Sequence, residues 1–182
     1  MLVDQIPALV GVVLGAAGAM ASSALTDRLR WRREQGVRWD QRRLDAFIAF
    51  AATLKEISTI AFRMSSAYRP RSGALPLSRE AGLELLVEAN IRRTQDWESL
   101  LLLGDEATVR AGARWRDAVR DLEMLARAET WDAATWRPAV DVMNEARDAF
   151  HVAARHGLGI HSGSVAQAAS LVERVADEEG TV

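Results

Sequence analysis

Residues 44–64, LDAFIAFAATLKEISTIAFRM, decide the fold class. Apolar side chains at positions 44, 47, 48, 51, 54, 57, 61 and 64 recur three and four residues apart. This is the spacing of one face of an α-helix and not the alternation of a strand. The pattern lays Leu44, Phe47, Ile48, Leu54, Ile57 and Met64 on one broad stripe. Such a stripe needs a partner, and the sequence downstream supplies several.

Two prolines and a glycine in YRPRSGALPL, residues 68–77, end the first pattern. Ser78 is an N-cap candidate for a second helix, whose expected stripe is Leu83, Leu86, Val87, Asn90, Ile91, Thr94, Trp97 and Leu101. Gly104 beside Asp105 predicts a stop followed by a new N-cap. A third helix over about 106–128 then places Ala111, Trp115, Ala118, Val119, Leu122 and Leu125 on one side. Thr130, Asp132 and Thr135 are cap candidates for a fourth helix, with Pro138 expected in its first turn and Gly157 just past its end. That helix carries Trp136, Val140, Met143, Ala146, Phe150 and Ala153 in register. A short final helix over 164–177 offers Val165, Ala168, Ala169, Leu171, Val172 and Val175. Four long amphipathic segments joined by short connections predict an all-α fold, an antiparallel bundle of about four helices.

Composition agrees with that class and narrows the function. The 182 residues include four prolines and no cysteine, which excludes disulfides, thiolate metal sites and cysteine nucleophiles. With 26% charged residues and a net charge of -2 there is no global excess of either sign, and nucleic acid is not an expected partner. The charge is unevenly placed, however. Residues 28–43 hold seven arginines against Glu34 and Asp40, while Asp177, Glu178 and Glu179 make the tail acidic.

Upstream of the basic block, residues 6–25, IPALVGVVLGAAGAMASSAL, contain no charge. About 20 helical residues cross a bilayer core about 30 Å thick, so the run has the length of a single span. A cleaved secretory signal wants a positive segment before the apolar run, and here only Asp4 precedes it, although small residues before Ala21 resemble a cleavage site. Arg28, Arg30, Arg32 and Arg33 follow the run, and basic residues beside a span stay in the cytoplasm. The expectation is an uncleaved anchor in a bacterial inner membrane, N-terminus outside and the helical domain inside. A buried helix of a soluble bundle is the competing reading; such a helix usually keeps a polar face, and this one has none.

Within the span, Gly11, Gly15 and Gly18 include a Gly-x-x-x-Gly pair that lets two helices approach closely, so a homo-oligomer is an expected assembly. Beyond it, Trp31 and the surrounding arginines fall at headgroup depth and are candidates for lipid contact. The resulting organisation is an anchor at 1–27, a basic juxtamembrane segment at 28–43, a helical bundle at 44–176 and an acidic tail at 177–182.

The sequence offers little chemistry. His151, His156 and His161 are five apart, a spacing that on a helix turns successive side chains away from one face. Asp148 and His151 share the spacing used in di-iron bundles, which require two such motifs and two further carboxylates. GLGIHSG, residues 157–163, lacks the spacing and the preceding strand of a phosphate loop. No catalytic residue, metal site or cofactor is expected. Of the six tryptophans, Trp97, Trp115 and Trp136 fall on the stripes of three different helices and predict a shared core. Trp39 and Trp131 fit no stripe and are the candidate anchors for a cytoplasmic protein partner. Asn90 and Thr94 interrupt the second stripe, where a buried amide serves register more readily than ligand binding.

The order of these features, an Ala/Gly/Val-rich run, then RLRWRREQGVRWDQRR, then RRLDAFIAF, resembles a set of uncharacterised actinobacterial single-span membrane proteins. The resemblance covers about residues 6–54. It implies an inner-membrane anchor with a cytoplasmic helical domain and brings no activity or cofactor with it. The expected function is that of a membrane-anchored interaction or scaffold protein without catalytic activity. A soluble helical regulator that oligomerises through its first helix is the alternative, and a helical-bundle enzyme a more distant one.

Overall fold

The computed structural model describes residues 39–68, 74–128 and 131–163. The chain divides into two units, residues 1–41 and 42–182, and the bundle belongs to the second. The candidate span at 6–25 with Gly11, Gly15 and Gly18, the collar residues Arg28, Arg30, Trp31, Arg32 and Arg33, and the final helix expected at 164–177 all lie outside the described residues. Those described form helices and turns with no strand. None of these helices is long and apolar enough to cross a membrane.

Helix α1 covers residues 39–66, and α2 (Arg79–Leu103), α3 (Glu106–Arg127) and α4 (Ala133–Gly157) follow. Local chemistry sets their ends. The Ser78 hydroxyl accepts the Ala81 N–H, the Asp105 carboxylate accepts the Thr108 N–H at 2.8 Å, and Asp132 accepts from Ala134 and Thr135. Each supplies an acceptor to an N–H that the first helical turn leaves without a partner. Pro138 lies one turn deeper than expected, in the second turn of α4, where its ring removes a single backbone bond close to the helix start.

At the other end of α4 the helix runs through Gly157, and the left-handed residue is Gly159 at φ 76°. The Ile160 N–H returns to the Arg155 carbonyl at 2.8 Å and the Gly159 N–H to His156 at 2.9 Å, the pairing that closes a helix through a left-handed glycine. Gly157 serves packing instead. A Cβ there would stand 2.5 Å from Asp105 Oδ2 and 3.2 Å from Arg43 Nη2. That carboxylate caps α3 and pairs with Arg43 of α1 at 3.4 Å, while Arg43 Nε donates to the Leu103 carbonyl at 3.0 Å. One end of all four helices is tied at this point.

Contacts between helices give their directions. Between α1 and α2, Met64 lies against Gly82, the Phe50 ring is 5.9 Å from Trp97, and Arg43 meets Leu103. Numbers fall on one helix as they rise on the other, so the pair is antiparallel. Between α1 and α4 the same follows from Phe47 with Phe150 at 6.3 Å and Phe62 with Trp136 at 5.7 Å. Arg79 reaches the Arg127 carbonyl and Asn90 reaches Glu123 between α2 and α3. Helices α3 and α4 pack along much of their length, with Trp115 and Phe150 at 5.4 Å. Each helix therefore borders the next, and α4 closes back on α1, in up-down-up-down order.

The core is fullest where Phe50, Trp115 and Phe150 meet, all but excluded from water. The chain passes this point on α3 at Gly112, where a Cβ would lie 2.7 Å from Leu100 Cδ2 and 3.3 Å from Phe50 Cε1. All four helices converge there, and the missing side chain makes the room.

The buried faces of α3 and α4 are those the sequence predicts, with Leu125, Val140, Ala146 and Ala153 at the margins. The first two helices depart from expectation. On α1 the core takes Phe50 and Ile60, which the expected stripe omits, while Ile48 is 58% exposed and Leu44 lies at the edge. On α2 the buried residues are Gly82, Leu86, Ala89 and Leu100; Val87, Ile91 and Leu101, expected inside, face out. Both helices are apolar around much of their circumference, so periodicity alone picks the wrong side by a fraction of a turn.

Candidate interaction surface and the polar groups beneath it

The exposed side of α2 is the most apolar outward face among the described residues. Val87, Ile91, Leu101 and Leu102 are separated by four, ten and one residues. With Thr94 and Glu98 between them, they fall on one side of the helix, opposite Gly82, Leu86, Ala89 and Leu100 in the core. Their exposures, 59%, 57%, 44% and 83%, are those of a surface in water. Glu98 stands among these residues and Glu84 and Glu88 flank them on one side; all three are exposed.

The basic residues of the same helix point elsewhere. Arg79 donates to the Arg127 carbonyl, Arg92 pairs with Glu56 of α1 at 2.6 Å, and Arg93 turns toward Glu123. The outward face of α2 thus mixes apolar side chains with carboxylates, and at its edge toward α3 the Arg116 guanidinium covers Trp97.

Behind it, between α2 and α3, lies a buried carboxylate. Glu123 is 5% exposed and accepts from Arg127 Nε at 2.9 Å and Nη2 at 2.5 Å, from Asn90 Nδ2 at 2.9 Å and from Arg93 Nη1 at 3.4 Å. Burial pulls the Arg93 guanidinium below its ordinary range; the Glu123 carboxylate opposes that and the arginines around it add to it. Arg127 holds the carboxylate from within α3, and Asn90 and Arg93 reach it from α2, so these two tie α2 and α3 in a single register: a slide of either helix separates them from the buried charge. This is the role expected for Asn90. Thr94 behaves otherwise: it is exposed, and its hydroxyl donates to the Asn90 carbonyl one turn back.

The tryptophans divide into two groups. Trp97 and Trp115 both pack on Phe50, and the Arg116 guanidinium lies 4.3 Å from the centre of the Trp97 ring. Trp136 sits toward the opposite end of the bundle, edge-on to Phe62. The three share one core, as expected, with Trp115 and Trp136 inside it and Trp97 packed against it. Of the two candidate anchors, Trp39 is 52% exposed, whereas Trp131 rests half-buried against the core with its Nε1 out of reach of solvent and of any acceptor.

The histidines also part company. His151 packs against Trp115 and Phe150, and its Nδ1 lies 3.2 Å from the Arg147 carbonyl. Burial, and then Arg147 and Arg155, push its imidazole below the ordinary value; Asp148 pulls the other way. His156 and His161 meet edge to face at 5.0 Å. Spacing on a helix would separate them, but the helix ends at Gly157 and the turn at Gly159 brings the second ring back, a signal the glycines of GLGIHSG carry in the sequence. Among the described residues no group of three histidines or carboxylates is placed to hold a metal ion.

Comparison of the chain with protein-family models, with curated proteins and with solved structures gives no match.

Proposed function

We propose that this chain is a membrane-anchored, cytoplasm-facing helical module that acts by binding other proteins, itself among them, and carries out no catalysis. The observation that carries the reading is the uncharged run at residues 6–25 followed at once by Arg28, Arg30, Arg32 and Arg33. Twenty residues without charge match the hydrocarbon thickness, and the arginines set the side on which the bundle is retained.

Anchoring has a mechanistic consequence. Confinement to a surface raises the local concentration of the bundle, so weak contacts between neighbours are occupied without any added interaction. Gly11, Gly15 and Gly18 supply one such contact within the bilayer. A rigid bundle supports the role from the other side: with Asn90 and Arg93 of α2 bonded to Glu123 of α3 and all four helices tied near Asp105, it presents its outer faces in fixed positions.

The test is fractionation of the full chain with a C-terminal tag, an alkaline carbonate wash of the membranes and protease added to intact spheroplasts. Retention in the washed pellet with the tag protected is expected. Release into the wash overturns the anchor and favours a soluble regulator that uses residues 6–25 to oligomerise. Digestion of the tag overturns the orientation.

A further inference from the structure

We infer that the seam between α2 and α3 is an anion site that takes a phosphate monoester between Arg93 of α2 and Arg116 and Arg120 of α3. The inference goes beyond the interaction role proposed above and does not depend on the anchor. Helical spacing and contacts across the seam bring the three residues together. Arg116, Arg120, Glu123 and Arg127 follow one another at intervals of four, three and four, so they line one flank of α3. That flank faces α2, since Arg116 lies over the Trp97 ring at 4.3 Å and Glu123 meets Asn90 at 2.9 Å and Arg93 at 3.4 Å. Arg120 falls between the residue that meets Trp97 and the one that meets Arg93. It is exposed, and it makes no hydrogen bond or ion pair among the described residues.

Two observations point from this cluster to a ligand. The first is a guanidinium short of acceptors. The Arg93 side chain is 20% exposed, yet of its five N–H donors only one is engaged among the described residues, in the 3.4 Å contact to Glu123. Donors withdrawn from water and left unused weaken a fold, and an arriving acceptor relieves that loss. The second is charge. The charges that act most on Arg93 are one carboxylate, Glu123, and three guanidinium groups, those of Arg116, Arg120 and Arg127. Glu123 is shared with Arg127 and Asn90, and Asp117 is held by its neighbour Arg116. Glu98, exposed on the outward face of α2, pairs with none of them.

Four guanidinium groups against Glu123 and Asp117 leave two positive charges. A phosphate monoester, with a charge of about -1.5 to -2 near pH 7, matches them, whereas a single carboxylate brings half as much. Guanidinium forks also suit the paired oxygens of a phosphoryl group. With Arg116 laid on Trp97 and Arg93 fixed at Glu123, two of the three forks are already placed, so little ordering accompanies binding.

The full-length protein, held in zwitterionic nanodiscs, or free in buffer if carbonate extraction shows it to be soluble, is dialysed to equilibrium against radiolabelled inorganic phosphate at fixed ionic strength. One equivalent per chain is expected to bind saturably, with acetate competing at least tenfold more weakly than unlabelled phosphate. R120A, checked by circular dichroism for unchanged helicity, should weaken phosphate about tenfold, the scale of one charge-assisted contact. R114A removes an exposed arginine two residues before Arg116, on the other side of α3, and should leave binding unaltered. No binding up to about 10 mM phosphate, a Kd in that range giving less than about 3 kcal/mol, overturns the proposal. So does binding indifferent to R120A, equal loss in R114A and R120A, or acetate competing as well as phosphate. Lipid containing phosphatidic acid, set against lipid with the same charge as phosphatidylglycerol, distinguishes the sources of the phosphate. Displacement of soluble phosphate by phosphatidic acid alone gives the site a lipid headgroup, and displacement by neither gives it a soluble ligand. Displacement by both shows a response to charge alone, and the proposal falls.

Discussion

Helices α2 and α3 are neighbours of similar length, 25 and 22 residues, yet they are written in different ways. In α3, the buried Glu123 and exposed Met124 apart, apolar side chains keep to one side and charges to the other, so Ala111, Trp115, Ala118, Val119 and Leu122 enter the core where the sequence puts them. In α2 apolar residues lie on two sides; Leu86 and Leu100 are buried together with two small residues, Gly82 and Ala89, and at Gly82 the Met64 side chain leaves no room for a larger one. The larger Val87 and Ile91 are left outside. Periodicity reports burial only when the opposite face is polar; where both faces are apolar, the fit of the neighbours chooses between them.

The contrast can be broken hardest on the α3 side. Trp115→Ala removes a side chain that is 1% exposed and touches Phe50, Phe150 and His151. A loss of about 3–5 kcal/mol is expected, as for other large aromatic deletions in cores, and urea unfolding followed by circular dichroism measures it. A loss under about 1 kcal/mol would mean that the aromatic layer does not hold the bundle.

Glu123→Ala tests the seam between the two helices. It leaves Arg93, Arg127 and Asn90 without their common acceptor. Removing one partner of a fully buried pair costs about 3–5 kcal/mol, and since both arginines retain some solvent, about 2 kcal/mol is expected here. The variant Arg93→Ala combined with Glu123→Ala should lose less than the sum of the two single changes, as a double-mutant cycle in denaturant would record. Additive losses would show that the register is held elsewhere.

A smaller effect follows from His151, on the α4 side of the same aromatic layer. Its imidazole is held below the ordinary value in the fold, first by burial and then by Arg147 and Arg155. The unfolded chain therefore takes up that proton more readily. Its contribution to stability is complete above the ordinary imidazole value of about 6.5 and is lost as pH falls through that value toward the lowered one in the fold. Between pH 7.5 and 5.5, the urea midpoint of His151→Phe should fall less than that of the parent chain. Parallel falls in the two proteins would place the pH dependence in other groups.

The least effect is expected where the sequence first pointed inward. Ile91→Ser on α2 changes a residue 57% exposed, and unfolding free energy should move by no more than about 0.5 kcal/mol. Val119→Ser, an equal insult on the buried side of α3, should cost several times more, and thermal melts of the two variants side by side would settle the ranking. A large loss at Ile91 would mean that the face is already covered within the protein.

The sequence by itself determined the helical class, the end of α1 close to Tyr68, the caps at Ser78, Asp105 and Asp132, and the inward sides of α3 and α4. Each depends on chemistry local to a few residues: a side-chain oxygen reaching an N–H three positions on, a proline or glycine that ends a helix, a polar face that identifies its opposite. Tertiary structure alone decided that Phe50 and not Ile48 enters the core, that Gly157 is required by Asp105 of another helix, that Glu123 gathers two arginines and that His156 meets His161. These depend on which surface arrives opposite, and no periodicity within one helix encodes the shape of its neighbour.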